Sequence, residues 1–263
     1  MNDPLDRAQV RRQFDRAAST YDDVAALQRS TADLLIDAMV ADPAMSDIGH
    51  MVDLGCGTGY ALARLADRWP VPLTGVDLSH AMLARASAAV PEGNFIHADL
   101  HALPFADASL DCLFSNAAIQ WCDLDRVTAE FRRVLAVDGK FFVATFLDNT
   151  LHQFTTAFQS VGLADPVHAM HTRSEVEAAF GQSGLAISTA HQQTHELAYA
   201  DVDAMFAAVR KLGARNARQS RSRSPMSRQQ YRRLRDVLDA RRRADGSLTL
   251  TFETLLVIGE RRP

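Results

Sequence analysis

The chain has 263 residues, 47% hydrophobic and 23% charged, with a formal charge of −4; this is enough apolar material for one sizeable core with additions, and the charged share is ordinary for a globular protein. No run of about 18 apolar residues occurs, which excludes a helical membrane span, and the polar, acid-bearing start MNDPLDRAQVRRQFDRAAS reads as neither a secretory signal nor a transit peptide. Cys56, Cys112 and Cys122 are odd in number and widely spaced, which argues against a disulfide framework or a metal site and points to a reducing cytoplasm.

Residues 4–20 have Val10, Phe14 and Ala17–Ala18 at helical spacing, and 25–40 carry a stripe of Leu27, Leu34, Leu35 and Met39; both read as helices. A regular alternation follows. Strands are expected at 50–54, 73–78, 94–100, 110–116 and 139–146, with helices at 58–69, 79–90 and 124–135 between them. Ser79 stands where an N-cap belongs. Strands alternating with helices mean an α/β fold around a mainly parallel sheet. Beyond 147 the pattern loosens, with helices predicted near 149–163, 173–181, 201–213 and 227–241. Long strands are predicted over 185–199 and 247–261, which completes a seven-stranded sheet. The Arg/Ser-rich stretch 214–227 reads as a loop.

Charge is unevenly spread. Residues 210–243 hold thirteen Lys/Arg against two acids, Asp236 and Asp239, a balance of +11 that leaves −15 on the rest. A basic arm on an acidic body suits an anionic partner.

The stretch VDLGCGTGY puts Gly55, Gly57 and Gly59 directly after the first strand. Clustered glycines mark a backbone that turns sharply or approaches something closely. At the carboxyl end of a strand in an α/β sheet, that something is a ligand in the crevice, or the turn is simply packed tightly against its helix. The spacing lacks the Lys-Ser/Thr of a phosphate loop. Asp77 ends the second strand, where a carboxylate can accept two ribose hydroxyls. Asp99 ends the third, in reach of an adenine amino group. Asp53 precedes the glycines and would orient the loop or a ligand ammonium. The His residues show no metal-ligand spacing with the cysteines, so no metal is expected.

The ordered segments VDLGCGTGY, GVDLS, HADLHALPFADASLDCLFSNAAIQW and RVLAVDGKFFVATF resemble the motifs of class I S-adenosylmethionine-dependent methyltransferases over residues 50–146. The resemblance implies a Rossmann-like seven-stranded sheet with helices on both faces and the last strand antiparallel. It implies that Gly55, Gly57 and Gly59 line the methionine end of the cofactor, Asp77 the ribose, and Asp99 and Leu100 the adenine, with Leu78 and Asn116 completing the set. FDRAASTYDDVAALQRSTADLLIDAM, SNAAIQWCDLD and VRKLGARNAR are more narrowly similar to the malonyl-acyl carrier protein O-methyltransferases of biotin synthesis, the BioC family. That likeness implies an N-terminal helical lid (1–45), a cofactor-binding core (46–147), and a C-terminal part (148–263) with a helical substrate-side insertion at about 200–245.

It also implies methylation of the free carboxylate of a malonyl thioester on an acyl carrier protein. A carboxylate is ionised at neutral pH, so no general base is required and positioning suffices. Tyr21 would bind the carboxylate or the methionine part, or simply pack the lid. Gln120 would orient the acyl group, and Trp121 would wall the pocket or serve as core. Lys211 and Arg215 are candidates for the acceptor carboxylate, since cationic donors suit it. Arg218, Arg221, Arg223, Arg228 and Arg232 would steer an acidic carrier. The expected partner set is an acidic acyl carrier protein, no nucleic acid and no membrane, with a monomeric, cytoplasmic enzyme. The rival readings are a methyltransferase of another small carboxylic acid, trans-aconitate-like, an RNA methyltransferase, and a non-catalytic cofactor-binding partner.

Overall fold

The computed structural model describes residues 6–165, 167–211 and 226–263. Two helices open the chain: α1 (Arg7–Ala17), whose N-cap Asp6 accepts from the Gln9 amide, and α2 (Ala26–Ala41). The alternating core comprises β1 (Met51–Leu54), α3 (Tyr60–Ala66), β2 (Leu73–Asp77), α4 (His80–Ala89), β3 (Asn94–His97), β4 (Leu110–Asn116), α5 (Leu124–Val134) and β5 (Leu135–Phe146). Then come α6 (His152–Ser160), α7 (Arg173–Gln182), β6 (Leu185–Tyr199), α8 (Val202–Lys211), α9 (Arg228–Asp239) and β7 (Leu248–Arg261). Ser79 caps α4 by accepting from the Met82 amide, as its position before an apolar-periodic run predicts.

The sheet runs β3-β2-β1-β4-β5-β7-β6. The first five strands are parallel, and β7 pairs antiparallel with both β5 and β6. Buried strands of a doubly covered sheet alternate their side chains between two cores. Phe141 and Val143 of β5 join Phe131 of α5 and Phe180 of α7 on one face; Phe142 and Ala144 join Leu35 and Met39 of α2 and Leu62 of α3 on the other.

One feature of the sheet builds the substrate side. β5 pairs with β7 only as far as Phe146↔Thr254, whereas β6 and β7 stay paired to Tyr199↔Leu248. The β6–β7 ribbon therefore overruns the ligand-facing end of the parallel strands. Its apolar side, Leu248, Leu250 and Phe252, cannot face water and is covered by Phe154 and Phe158 of α6, Met205 of α8 and Leu234 and Leu238 of α9.

Strand β5 begins four residues earlier than the sequence predicts. Leu135 pairs with Leu110 before a register shift, with Asp138 at a φ of 64° before Gly139. The first helix is shorter than expected, ending at Ala17, and a 3-10 turn at Tyr21–Asp23 follows. No helix of the described residues is long and apolar enough to cross a membrane.

Candidate active site

The glycine turn after β1 is made of three left-handed residues, with φ of 80° at Gly55, 54° at Gly57 and 87° at Gly59. Each has a different reason. A Cβ on Gly55 would lie 2.4 Å from the Ala118 Cβ, and one on Gly59 would lie 2.9 Å from the Ala86 Cα. A Cβ on Gly57 would meet nothing within 4 Å. Gly57 thus faces open space, while Gly59 seats α3 against α4 and lines no part of the cleft. Of the three glycines expected to face a ligand, Gly55 and Gly57 line the cleft and Gly59 does not.

The cleft in front of this turn opens to solvent on one side. Gly55, Gly57, Asp77, Leu78, Asp99, Leu100 and Asn116 all line it. The Asp77 carboxylate is positioned by backbone: the Gly57 amide donates to Oδ2 at 2.9 Å and the Ser79 amide to Oδ1 at 2.8 Å. Burial nonetheless raises its pKa against those hydrogen bonds. Asp99 sits differently. The Asp123 amide donates to His101 Nε2 at 2.9 Å, so the ring proton is on Nδ1, which donates to Asp99 Oδ1 at 2.5 Å. Arg7 of α1 pairs with the other oxygen. Burial pushes Asp99 upward, but the bonds from His101 and Arg7 outweigh it and hold the carboxyl well below the usual range.

A second chamber opens beside Gly55 and Gly57, lined by Asp53, Asp22, Arg29, Gln28 and Tyr60 among others. Asp53 is 2% exposed and its Oδ2 has no hydrogen-bond partner among the described residues. Burial, with the nearby Asp77 charge, pushes its pKa up to about 8. A buried carboxylate oxygen without a donor is costly, and here it borders a space that a cation can enter.

A third chamber lies toward the ribbon and is mainly apolar, walled by Phe14, Trp121, Phe146, Leu151, Met170 and Phe252. Trp121 stacks on His168 with centroids 4.8 Å apart and meets Phe14 edge-on. Gln120 lines the chamber too, but its amide is committed: Nε2 donates to the Ala117 carbonyl at 2.7 Å, and Oε1 accepts from Thr145. Tyr21 lines all three spaces. Burial, then the charges of Asp77 and Asp22, push its hydroxyl pKa upward, so it remains a donor at neutral pH. Asn116 spends its amide on α2, donating to the Gln28 carbonyl and accepting from Thr31, both at 2.8 Å.

A family model described as a methyltransferase domain matches residues 52–143. Over 257 residues the chain is 35% identical to a malonyl-[acyl-carrier protein] O-methyltransferase of Halorhodospira halophila, covering 95% of this chain and 86% of that one. This chain belongs to the malonyl-acyl carrier protein O-methyltransferase family. It is also 29% identical to part of a biotin biosynthesis bifunctional protein BioHC of Cellvibrio japonicus, covering 97% of this chain and 50% of that protein. In fold it matches a geranyl diphosphate C-methyltransferase of Streptomyces coelicolor, with a TM-score of 0.55 at 17% identity over 88% of this chain and 78% of that one.

Within this methyltransferase the expected basic residues that the structure describes, Lys211, Arg228 and Arg232, do not line the cleft. Lys211 ends α8 and is exposed, as are Arg228 and Arg232 on α9, and none lines any of the three spaces. Their side chains stay in water because the apolar face of α9, Leu234 and Leu238, is the one turned to the ribbon. Arg215, Arg218, Arg221 and Arg223 lie outside the described residues.

The roof contains residues that sequence reasoning missed. Asp15 of α1 accepts from the Ser79 hydroxyl at 2.6 Å, and Asp22 accepts from Thr58 at 2.8 Å and pairs with Arg85 and Arg29. Burial opposes, but those bonds hold Asp22 below the ordinary carboxylate range. Their only signal is a cluster of acids in the first 23 residues facing basic or hydroxyl partners far along the chain.

Proposed function

We propose how this chain carries out the reaction of its family, methyl transfer from S-adenosylmethionine to the free carboxylate of malonyl-acyl carrier protein, giving the methyl ester that starts pimeloyl synthesis for biotin. The observation that carries the reading is the orphaned Asp53 carboxylate beside the open Gly57 turn. The residues fit the cofactor. Asp53 would accept the ammonium, and Arg29, whose Nε is buried without a partner, would face the carboxylate of the same amino-acid group. Asp77, with both oxygens steadied by backbone amides, would accept the ribose hydroxyls; Asp99 and Leu100 would hold the adenine.

Bound S-adenosylmethionine would supply a methyl group on a positively charged sulfur, and a carboxylate already ionised at neutral pH could accept it by direct displacement without any proton moving. What remains for the protein is positioning and exclusion of water. Trp121, Phe146 and Phe252 would keep the acceptor chamber dry. The reaction joins an anion and a cation into neutral products, so a low-dielectric chamber favours it. Gln120 acts through its wall position, since its amide is already bonded to Ala117 and Thr145. The exposed arginines of α9 would attract an acidic carrier from outside the chamber, with the enzyme working as a cytoplasmic monomer.

The test is transfer of labelled methyl to malonyl-acyl carrier protein, with malonyl-CoA and free malonate in parallel. A base-labile label, strongest on the carrier, is expected. Equal labelling of free malonate would favour a small-acid methyltransferase; salt-sensitive labelling of RNA would favour the nucleic-acid reading.

A further inference from the structure

We infer that Gln28 is the residue that receives the acceptor carboxylate, an inference that rests on reading the apolar chamber as the acceptor site. Among the described residues, Tyr21 and Gln28 alone line both that chamber and the Asp53 chamber. The chamber also meets the main cleft at Phe14, Tyr21, Ala117 and Trp121, so an acceptor oxygen approaching the methionine end passes beside Tyr21 and Gln28. Gln28 is fixed there by its main chain. Its carbonyl accepts from the Asn116 amide at 2.8 Å and from the Thr31 hydroxyl at 2.9 Å, which pins the first turn of α2 to the end of β4. Its side-chain Oε1 is buried without a hydrogen-bond partner among the described residues.

The polar side chains of Gln120 and Thr150 are already engaged. Gln120 bonds Ala117 and Thr145, and the Thr150 hydroxyl donates to the Glu253 carbonyl and accepts from its amide. Among the described residues no cation lines the chamber. A carboxylate entering it therefore meets neutral donors, the Tyr21 hydroxyl, the Trp121 indole N–H and the Gln28 amide, and the amide can turn its NH2 toward an anion and its oxygen away. Neutral donors suit the chemistry. A guanidinium fork would hold a carboxylate tightly before reaction and release its charge only at a cost, so it would stabilise the ground state more than the transition state. A buried amide can align one oxygen while leaving the other its full nucleophilicity.

The experiment compares the wild type with Gln28→Leu and the near-isosteric Gln28→Glu. Binding of malonyl-pantetheine and acetyl-pantetheine is measured in the presence of S-adenosylhomocysteine, whose own Kd is measured alongside. The wild type should prefer the malonyl form. Gln28→Leu should erase that preference, roughly tenfold to a hundredfold, as expected for a lost hydrogen bond to a charged group, with the S-adenosylhomocysteine Kd unchanged. Gln28→Glu should lose malonyl binding at least as severely, because it sets like charges together, and it guards against a folding defect in the leucine variant. A malonyl preference that survives both substitutions overturns the inference. So does a loss confined to S-adenosylhomocysteine, which would assign the amide to the cofactor. A wild type that neither methylates malonyl thioesters nor prefers malonyl to acetyl overturns the underlying reading as well.

Discussion

The floor and the roof of the cleft are built in opposite ways. The floor, from β1 to β4, is made of backbone in left-handed turns and of buried carboxylates; Asp53 and Asp77 are held by strand ends. The roof, α1 and the turn at Tyr21–Asp23, is fastened by side-chain ion pairs at the rim: Arg7 with Asp99, and Asp22 with Arg29 and Arg85. Each of these pairs is partly exposed, and such pairs contribute about 0–1 kcal/mol. A floor of this kind recognises all or nothing, whereas a roof of this kind can open for cofactor exchange and re-form.

The largest effect should come from breaking the floor. Gly55→Ala forces a methyl against Ala118 at a φ of 80°. It should cost about 2–4 kcal/mol of stability, the scale of backbone strain plus a core clash. Gly57→Ala is the informative contrast. Its φ of 54° strains alanine, yet the methyl meets no protein atom. It should cost only about 1–2 kcal/mol and still abolish cofactor binding. Thermal denaturation with calorimetric binding of S-adenosylhomocysteine separates the two; parallel losses in both variants would mean that Gly57 is a packing glycine like Gly59.

The second effect is a pH dependence from the same floor. In the free protein Asp53 is raised to about 8. The fold thus favours the protonated form, and Asp53's contribution to stability falls as pH rises from the ordinary carboxylate range toward 8. Cofactor binding needs the ionised form opposite the ammonium, so it expels a proton. Affinity should rise with pH up to about 8 and proton release should approach about one per site below that. At higher pH the ligand's own amine deprotonates and ends the rise. Asp53→Asn should weaken binding and remove the rising limb, read by calorimetry in buffers of different ionisation heat.

These contrasts also explain what the sequence disclosed. The strands of the floor were legible because apolar runs alternate with amphipathic helices, and Gly55, Asp77 and Asp99 sit at strand ends where local pattern alone points to a ligand. The roof was not legible in the same way. Arg7 and Asp99 are 92 positions apart, Ser79 and Asp15 64, Thr58 and Asp22 36, and no periodicity encodes such pairs. Gln28 reads in sequence as a polar residue on an amphipathic helix. Lys211 drew attention because a carboxylate invites a cation, but the fold turns it to water.

The third effect concerns the outer face. Arg228→Glu with Arg232→Glu should lower kcat/KM for malonyl-acyl carrier protein by about tenfold at low salt, through the association rate, and much less at high salt. Malonyl-CoA turnover should be unchanged, since neither residue lines the cleft. An equal loss on both substrates would move these arginines from the carrier face to the site itself.

The smallest effect is expected at the roof, and it decides whether the comparison holds. Arg7→Ala removes a half-exposed partner of Asp99 but leaves the His101 bonds that orient the carboxylate. Worth about 0–1 kcal/mol, the lost pair should leave the melting temperature within error. It should quicken S-adenosylhomocysteine release by about two- to fivefold, measured by stopped-flow, because the roof then closes less often over the adenine end. Asp99→Asn should slow nothing and weaken binding outright, because it also disturbs the floor's contact with His101. If Arg7→Ala instead destabilises the fold as strongly as Gly57→Ala, the roof is as rigid as the floor, and cofactor exchange must proceed by another opening, on the ribbon side where α6, α8 and α9 cover the sheet's overrun.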